Sequence, residues 1–551
     1  MENSQAQRLL AHVSALEGER IPWETLWQEL ADIVHPRRNL IQTKRPAGSP
    51  DRQAISNAFD GTAQRANRVL ANGQAARITP MGARWFALRP PEELEGNHSA
   101  VRWFHQCGEI LARFLQASNF YNRAHEHYLD RGAFGIASTE ILPAINGKGL
   151  HFRSHSVGSF ACAHDGQDEV NTYCRRYNLT PQQMLEMFPS TTPKEVREML
   201  EDDKRRQTPC ECVHLIRPRL DRDPRKTDSK NKPFESYHIH AKTHTILAES
   251  GYDEFPLAVS RFEMWGESPY GWAPSYHALP EASQANFLAQ MKDTLVELAA
   301  FPRILYGSNL KGDIDFRALG LTCWDPNIDR NPPQEWLTNG RYDVAKDDLA
   351  AKQAAIEEAF FVPLFNAIAN IDKSATATEI RAVVQESREL FHPIFANLVR
   401  EFLRPILRRS FAILMRQGAF PAPPASVIQR DEISAGIAEP EVEFTSAMAL
   451  ALEQSNLANF NDVIATLSPL AQADPSVLDF IDTDEIGPAF FRYKGLEERF
   501  IRSPEAIEQI REARAEAQQM AQAREAAGAV RDLGGAQGLS EMAALDDVAA
   551  Q

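Results

Sequence analysis

The sequence predicts a mixed α+β fold in which long helices frame a region of short strands. Three observations support this prediction. A long helical pattern extends from Thr376 to Gly418, and short alternating apolar runs fill the stretch between about Ile136 and Phe262. Two further helical patterns flank a stretch rich in Pro and Trp, residues 301–341. Helices and strands are grouped in separate parts of the chain, which is typical of the α+β class.

Length and composition describe a soluble globular protein larger than one ordinary domain. The chain has 551 residues, of which 43% are hydrophobic and 24% charged. Its net charge of -16 argues against tight phosphate binding, which requires concentrated Lys and Arg, without excluding loose contact with DNA. No apolar run reaches membrane-spanning length and the N-terminus lacks a signal-peptide pattern, so we expect no membrane partner.

The cysteines fit no disulfide framework. They are few for the length, and we expect free thiols in a reducing compartment. They are Cys107, Cys162, Cys174, Cys210, Cys212 and Cys323.

The first 131 residues predict four helices and one strand, because apolar residues recur every three or four positions between Pro- and Gly-containing breaks. The helices are predicted at Ala15–His35, Ser56–Ile78, Ser99–Ala117 and Phe120–Arg131, with a strand at Arg84–Pro90.

The next region predicts strands separated by turns, interrupted by one helix from Pro181 past Pro193 to Leu200. Asn146 to Gly149 is interpreted as a hairpin turn. The strand-like runs are IASTEILP, HFRSHSVGSF, CECVHLIRPRL, FESYHIHAKTHTILAES and PLAVSRFEMW.

Two long helices then bracket an irregular excursion. Pro280 suits the first position of a helix that continues to Ala300, and a second helical pattern runs from Asp343 to Ile371. Between them Trp324 and Trp336 are predicted anchors of a compact insertion.

The helix from Thr376 to Gly418 has a marked start, because Thr376 and Glu379 have the spacing of a capping box. Pro393 and Pro405 predict kinks or divisions within it. Its arginines are interpreted as a solvated polar face. These are Arg381, Arg388, Arg400, Arg404, Arg408, Arg409 and Arg416.

After Gly418 the sequence predicts strands near Val427–Arg430 and Pro440–Phe444 and a helix over Ser446–Leu467. A final helical pattern runs from Ser503 to about Ala529, beyond which GGAQGLS weakens the pattern.

The sequence shows no established catalytic motif. It has no Gly-rich loop ending in Lys-Ser/Thr and no Gly-x-Ser-x-Gly elbow. His125-Glu126-His127 lacks the second histidine four residues after the first that a zinc protease requires, and a helix-surface interpretation is favoured.

Two sets of residues have the composition of a metal site. The first is a histidine- and cysteine-rich pair of strands, for which the alternation of any half-buried strand is the preferred explanation. The second is a pair of acidic turns, for which local hydrogen bonding is preferred over a nuclease Mg²⁺ site. The residues are His238, His240, His244, Cys210, Cys212 and His214 in the first set, and Asp313, Asp315, Asp482, Asp484 and Glu485 in the second.

Taken in order, several of these segments resemble the head-to-tail connector, or portal, proteins of short-tailed, podovirus-like bacteriophages. The resemblance covers nearly the whole chain and includes the helix from Trp23 to Pro36. The other segments that carry it are FDGTAQRANRVLANGQAARITPMGARWFAL, RFEMWGESPYGWAP, ALPEASQANFLAQMKDTLVELAAFPRIL, TATEIRAVVQESRELFHPIFANLVREFLRPIL and FIDTDEIGPAFFRYKGLEERFIRSPEAIEQIREARAEA.

The resemblance implies a portal fold with long stem and wing helices, a small α/β clip, β-rich wing segments and a helical C-terminal crown. It divides the chain into an N-terminal wing region (1–277), a first stem helix (278–300), a clip (301–341), a second stem helix (342–371), a tunnel loop (372–378), a long wing helix with return strands (379–445) and a crown with a low-complexity tail (446–551).

The same resemblance implies a function and a set of partners. The protein is expected to form a ring, typically a dodecamer, at one capsid vertex of the virion, after synthesis in the host bacterial cytoplasm. Double-stranded DNA would pass through the ring during packaging and ejection. The expected protein partners are the terminase large subunit, the major capsid and scaffolding proteins and tail adaptors, and no cofactor or catalytic residue is implied.

Five residues are the candidate contacts. Lys373 lies in the short connection where a loop would project into the channel, so it is the first candidate for transient phosphate contact, with Arg381 second; an ordinary exposed loop residue is the alternative for Lys373. Trp324, Arg330 and Trp336 of the clip are the candidates for docking terminase and tail proteins.

Two other function classes remain open from the sequence. One is a metal-dependent nuclease or lytic enzyme of a phage that uses the acidic turns or the histidine-rich strand. The other is a different oligomeric virion protein, such as a tail adaptor. The two long helices that bracket an insertion favour the portal over an adaptor.

Overall fold

The computed structural model describes residues 2–38, 41–42, 57–223, 225–226, 228–300, 303–305, 334–336, 342–370, 391–430, 435–445, 507 and 509–520. The chain divides into two compact units, residues 1–95 with 99–452, and residues 96–98 with 453–551. In the second unit, residues 509–520 are helical, which agrees with the helix predicted from Ser503 to about Ala529.

Ten helices organise the described part of the first unit, and most fall where the apolar periodicity predicts them. They are α1 Glu2–Ile33, α2 Thr62–Arg77, α3 His98–Ala117, α4 Phe120–Phe134, α5 Pro181–Met187, α6 Lys194–Glu201, α7 Pro274–Ala300, α8 Tyr342–Ala359, α9 Val362–Asn370 and α10, which comprises residues 391–398, a π-helical turn Val399–Leu403 and Arg404–Arg416.

Fourteen strands are described. They are β1 Phe86–Arg89, β2 Ile136–Pro143, β3 Leu150–His155, β4 Phe160–His164, β5 Val170–Leu179, β6 Cys210–Pro218, β7 Phe234–His240, β8 Thr245–Tyr252, β9 Leu257–Arg261, β10 Arg303–Leu305, β11 Gln334–Trp336, β12 Ile428–Arg430, β13 Ala435–Ile437 and β14 Glu441–Phe444.

The strands form one large antiparallel sheet and several small ones. Strands β4 to β8 follow one another in sequence order, and a three-stranded sheet has the order β3-β2-β9. The hairpin between β2 and β3 turns where it is predicted, at Gly147 and Gly149, which have φ of 72° and 98°. Strand β1 pairs antiparallel with β14, which joins residues more than 350 positions apart in the chain, Phe86 opposite Phe444.

Helix α1 begins earlier than predicted, at Glu2 rather than Ala15. Its first half buries Ala6, Leu9 and Val13 against the five-stranded sheet, whereas Trp27 and Leu30 in its second half belong to the main core. The apolar periodicity of the first half of α1 is weak because few of its side chains are apolar. These side chains form a buried face only because the five-stranded sheet packs against them.

The sequence prediction missed strands β4, β5 and β13. Strand β5 is the most instructive because its residues VNTYCRRYNL include two arginines and lack alternation, although it lies inside the five-stranded sheet. Arg176 pairs there with Glu17 of α1 at 2.6 Å. The arginines make the segment resemble a loop in the sequence. In the fold, Glu17 of a distant helix balances the charge of Arg176, so the segment can form a strand.

The single helix predicted from Pro181 to Leu200 is two helices. The capping box that starts α5 joins Thr180 and Gln183, and the chain between α5 and α6 contains Pro189 and Pro193. Neither proline has an N–H to continue a helical hydrogen-bond ladder, so the first helix ends before them.

The two helices around the excursion also differ in detail from the prediction. Helix α7 begins at Pro274 and carries Pro280 inside it, rather than starting there. The second helix is divided between α8 and α9, where Phe361 adopts φ 58° and Pro363 follows. Pro363 has no N–H to donate to the carbonyl of Ala359, so a continuous helix would lose a hydrogen bond at this point.

Helix α10 ends as predicted. Gly418 has φ 66°, and the N–H groups of Gly418 and Ala419 donate to the carbonyls of Met415 and Leu414. The irregularity predicted at Pro405 is realised as the π-helical turn just before it, whereas Pro393 does not interrupt residues 391–398. The predicted capping box at Thr376 lies outside the described residues.

Candidate functional site

Most of the residues predicted to contact DNA or partners lie outside the described residues. This holds for Lys373, Arg381, Trp324 and Arg330, and for the acidic turns around Asp313 and Asp482. Trp336 ends strand β11, and its backbone pairs with Arg303 of β10. The excursion between α7 and α8 therefore begins and ends on a two-stranded antiparallel ladder.

The two ends of the stretch that carries Lys373 and Arg381 are held together. Phe361, just before α9, and Phe365 within α9 both contact the ring of Phe391 in α10 edge-on, at centroid distances of 5.7 and 5.8 Å. Phe391 is fully buried. Whatever the conformation of residues 371–390, their two ends start from one packed cluster.

Helices α7 and α8 pack against each other as a hairpin. Three alanines at helical spacing, Ala282, Ala285 and Ala289, are buried on α7, and Leu349 and Ile356 are buried on α8. Small side chains allow two helices to approach closely.

The opposite face of α7 is apolar and exposed. Phe287 and Met291, one turn apart, are 61% and 44% exposed. Large apolar side chains in a row on an exposed helix face mark an interaction surface.

The base of the hairpin is tied to the segment before α2. The Asn286 side chain accepts from the N–H groups of Phe59 and Asp60 at 2.7 and 3.1 Å. Gln353 of α8 donates to the Asp60 carboxylate at 2.7 Å. These bonds hold both helices of the hairpin against the segment before α2.

A buried ion pair joins α10 to the strand that leads toward the hairpin. Glu401, in the π-helical turn, accepts from the backbone N–H of Arg261 at 2.7 Å and from the Arg261 guanidinium Nε at 3.1 Å. Arg261 is 1% exposed and Glu401 9%. The π-helical turn therefore supplies a carboxylate to a cation that is otherwise sealed from water.

Two further arginines act as buried connectors. Arg131 donates to the carbonyls of Arg261 and Ile394, at 3.1 and 2.9 Å, and burial lowers its pKa to about 10, so it stays charged at neutral pH. Arg409 donates to the Ile141 carbonyl and to Glu254. The prediction of a solvated arginine face is therefore wrong for Arg409, which is 5% exposed.

The His125-Glu126-His127 motif divides between surface and core. His125 lies on the helix surface as predicted, but His127 is buried, stacks on Phe402 at 3.8 Å and shares a hydrogen bond with Thr139. Burial, aided by the positive charge of Arg131, lowers the pKa of His127 well below its ordinary value. His127 is a neutral packing residue.

The histidine-rich strands form a hydrogen-bonded core. The rings of His214 and His238 stack at 4.0 Å, His214 bonds to Ser236 at 3.0 Å, and His238 shares a hydrogen bond with Tyr177 at 2.8 Å. The described residues include no group of three or more His, Cys, Asp or Glu side chains arranged to hold a metal ion. The five cysteines in those ranges are free and buried.

The stacked histidines predict acid sensitivity. Burial, aided by Arg175, lowers the pKa of His238 to about 4, and burial with the neighbouring His238 lowers the pKa of His214 well below its ordinary value. Between pH 6.5 and pH 4 these imidazoles bind protons in the unfolded chain but not in the folded chain. The free energy of unfolding therefore decreases as the pH is lowered. For His238 alone the loss from pH 7 to pH 5 is about 2 kcal/mol.

Urea unfolding at pH 7 and pH 5 measures this loss. In H238F the decline in stability between the two pH values is expected to be shallower than in the wild type. H151F, at a half-buried histidine of β3, is the matched control and should leave the decline unchanged. Equal declines in H238F and the wild type would contradict the prediction.

The geometry defines an α+β protein with a helical hairpin, and no described helix combines the length and apolar character needed to cross a bilayer. The family model described as bacteriophage head to tail connecting protein matches residues 6–501. The chain belongs to this family of bacteriophage head-to-tail connecting proteins.

Two curated relatives align along nearly the whole chain. The portal protein of Salmonella phage epsilon15 is 27% identical over 532 residues, covering 95% of this chain and 93% of its own. The probable portal protein of Bordetella phage BPP-1 is 27% identical over 534 residues, with the same coverage of 95% and 93%. The predicted resemblance and the portal function that it implies are confirmed.

Solved structures show a weaker likeness. A chain from the neck of an empty gene transfer agent particle aligns at 13% identity and a TM-score of 0.32, covering 76% of this chain and 92% of its own. A chain from the native gene transfer agent virion aligns at 13% identity and a TM-score of 0.33, covering 77% and 94%. At these TM-scores the structural likeness adds nothing to the assignment.

Proposed function

We propose that this portal protein acts as a ring of identical subunits, a dodecamer, at one vertex of the phage head. Double-stranded DNA enters and leaves through the ring, and the tail attaches to it. The observation that carries the proposal is the exposed apolar face of α7, at Phe287 and Met291, on a hairpin whose other face is already packed. In a closed ring each subunit offers two different surfaces to its neighbours, and such a face is covered.

The parts of the chain take the roles that the resemblance implies. Helices α7 and α8 with α9 form the stem, residues 301–341 the clip and residues 372–378 the tunnel loop. The Phe361–Phe365–Phe391 cluster supports this division because it gives a loop in the channel a rigid base. The protein is made in the host cytoplasm and functions in the virion.

The partners follow from the same roles. The clip docks the terminase large subunit during packaging and tail adaptors afterwards, through Trp324, Arg330 and Trp336. The wing contacts major capsid and scaffolding proteins. The protein conducts DNA without catalysing a reaction, so purified protein should not cleave DNA with Mg²⁺, Mn²⁺ or Zn²⁺; cleavage would favour a nuclease instead.

Imaging of the purified full-length protein tests the ring. Negative-stain micrographs should show rings with a central hole, and mass measurement should give twelve subunits. The double variant F287K/M291K is expected to remain folded, because both side chains are exposed, and to shift the mass from ring to monomer. A buried lysine pair repeated around the ring would be repelled and desolvated.

An exposed methionine elsewhere gives the matched control. Met187 of α5 is 56% exposed, and M187K should leave the rings intact. A wild-type protein that stays monomeric at high concentration, or F287K/M291K rings of normal mass, would count against the role of the α7 face.

Lys373 and Arg381 are proposed to touch the moving DNA transiently. A conduit must let phosphates slide, so an acidic chain with few cations near the channel suits transport better than a basic one. Phage carrying K373A should package or eject DNA at an altered rate, and K373A/R381A should show a larger change. Wild-type rates in both variants would remove these residues from the contact.

A further inference from the structure

A groove of about 1050 Å³ lies along α10, on the part of the wing that the proposed stem, clip and tunnel loop do not use. One wall is α10, and the other is formed by the residues that lead into β9 and by residues 437–440. Its lining includes the apolar side chains Phe255, Leu257, Phe411, Met415 and Ile437. The volume is that of a large ligand pocket.

The α10 wall carries a row of arginines. Arg400, Arg404 and Arg408 line the groove four residues apart, which places them along one side of the helix. None of the three is buried, in contrast to Arg409.

The carboxylates nearby do not neutralise this row. Glu254 is engaged by Arg409 and Arg416, at 2.8 and 2.7 Å. Glu401 is held by the buried Arg261, and Arg400 only shares it at 3.3 Å.

Nearby carboxylates neutralise the other two arginines of the row, Arg404 and Arg408, even less. Arg408 reaches the exposed Glu439 at 3.7 Å, a pair of little worth at an exposed site. Arg404 makes no hydrogen bond or ion pair with any residue that the structure describes. On the α10 wall, Arg404 is therefore left without a counter-charge among the described residues, and Arg408 has only a weak one.

Charge and shape together select the occupant. The apolar lining gains little from a phosphate backbone, whose regularly spaced charges could not avoid the carboxylates of Glu169, Asp253 and Glu439 on the groove. An amphipathic helix can place apolar side chains at i, i+3 or i+4, and i+7 in the groove and carboxylates against the arginines.

We propose that this groove binds an acidic amphipathic segment of another protein, with Arg404 and Arg408 as its charge-recognition residues. The surface belongs to the single chain, so the proposal does not depend on the subunit number of the ring. It assigns a defined docking site, with named recognition residues, to the wing, for which contacts with capsid and scaffolding proteins are proposed above.

Peptide selection on the purified full-length protein tests the proposal. The probe is a library of peptides of about 14 residues, four helical turns, with leucine fixed at i, i+4 and i+7 and the other positions random. The selected pool should be enriched in Asp and Glu. Its best member should bind R404E/R408E about tenfold or more weakly than wild type, and R404Q/R408Q to an intermediate degree.

A double charge reversal at other exposed arginines is the matched control. R68E/R113E changes the net charge by the same amount and should leave peptide affinity unchanged. Thermal unfolding of each variant verifies that it is folded.

Four results would overturn the proposal. They are a selected pool without acidic enrichment, equal affinity of R404E/R408E and wild type, an effect of R404E/R408E on duplex DNA binding instead of peptide binding, and a change of ring mass in R404E/R408E, which would mean that another copy of the chain covers the groove.

Discussion

Replacing Glu401 by alanine is expected to lower the free energy of unfolding by about 3–5 kcal/mol, because it leaves Arg261 buried without its counter-charge. Arg261 is 1% exposed, and Glu401 contacts both its backbone N–H and its guanidinium. Among the described residues, the only other acceptor for this guanidinium is the carbonyl of Asp168, at 2.6 Å. A neutral carbonyl does not balance the charge. Chemical denaturation of wild type and E401A measures the difference.

Two companion variants make the Glu401 result specific. E439A removes an exposed carboxylate from the segment between β13 and β14, 3.7 Å from Arg408 of α10, and should change stability by less than about 1 kcal/mol. R261M/E401L replaces the whole pair by apolar groups and should recover much of the loss. If E401A and E439A were equally mild, Arg261 would have to find another partner, and the role assigned to the π-helical turn would be wrong.

Replacing Gly135 by alanine is expected to destabilise the protein by about 2–5 kcal/mol, the sum of left-handed backbone strain and a steric clash. Gly135 ends α4 with φ 76°, and a Cβ there would lie 2.3 Å from the carbonyl oxygen of Gly271. The clash is with backbone, which cannot rotate away. The Gly135 carbonyl also accepts from Phe262 at 2.9 Å, so any shift is passed to β9 and its buried Arg261.

Gly147 separates the two contributions. It has nearly the same φ, 72°, but a Cβ there would meet no atom within 4 Å. G147A should therefore show only the backbone strain, roughly 1–2 kcal/mol. Thermal or urea unfolding of both variants gives the comparison, and equal losses would show that the approach of Gly135 to Gly271 is not tight in solution.

Local sequence signals located many of the elements. Helix α3 and strands β2, β12 and β14 lie within a residue of the predicted bounds. The end of α10 at Gly418 was predictable because a glycine in the left-handed conformation is a local solution to the unpaired carbonyls of a helix end. Such features depend on neighbours in the chain, which the sequence shows directly.

Features that depend on distant partners were not predictable from the residues alone. Strand β5 looks polar until Glu17 of α1 pairs with Arg176, and Arg409 looks exposed until Glu254 and the Ile141 carbonyl receive it. The same holds for His127, which the helical pattern placed on the surface and Phe402 covers. In each case a polar group is buried or half-buried because a residue more than one hundred positions away satisfies or stacks on it.

For the function, sequence similarity was sufficient to identify a phage head-to-tail connecting protein, because the order and spacing of many segments carry that information along the whole chain. Only the tertiary structure shows which arginine side chains are paired inside the fold and which remain exposed for binding a partner. Arg261, Arg131 and Arg409 are paired with acceptors inside the fold. Arg404 faces the groove without a hydrogen-bond or ion-pair partner among the described residues. From the sequence, all arginines of α10 are assigned to one polar face, and only packing against β2, β9 and Glu254 distinguishes a structural arginine from a recognition residue.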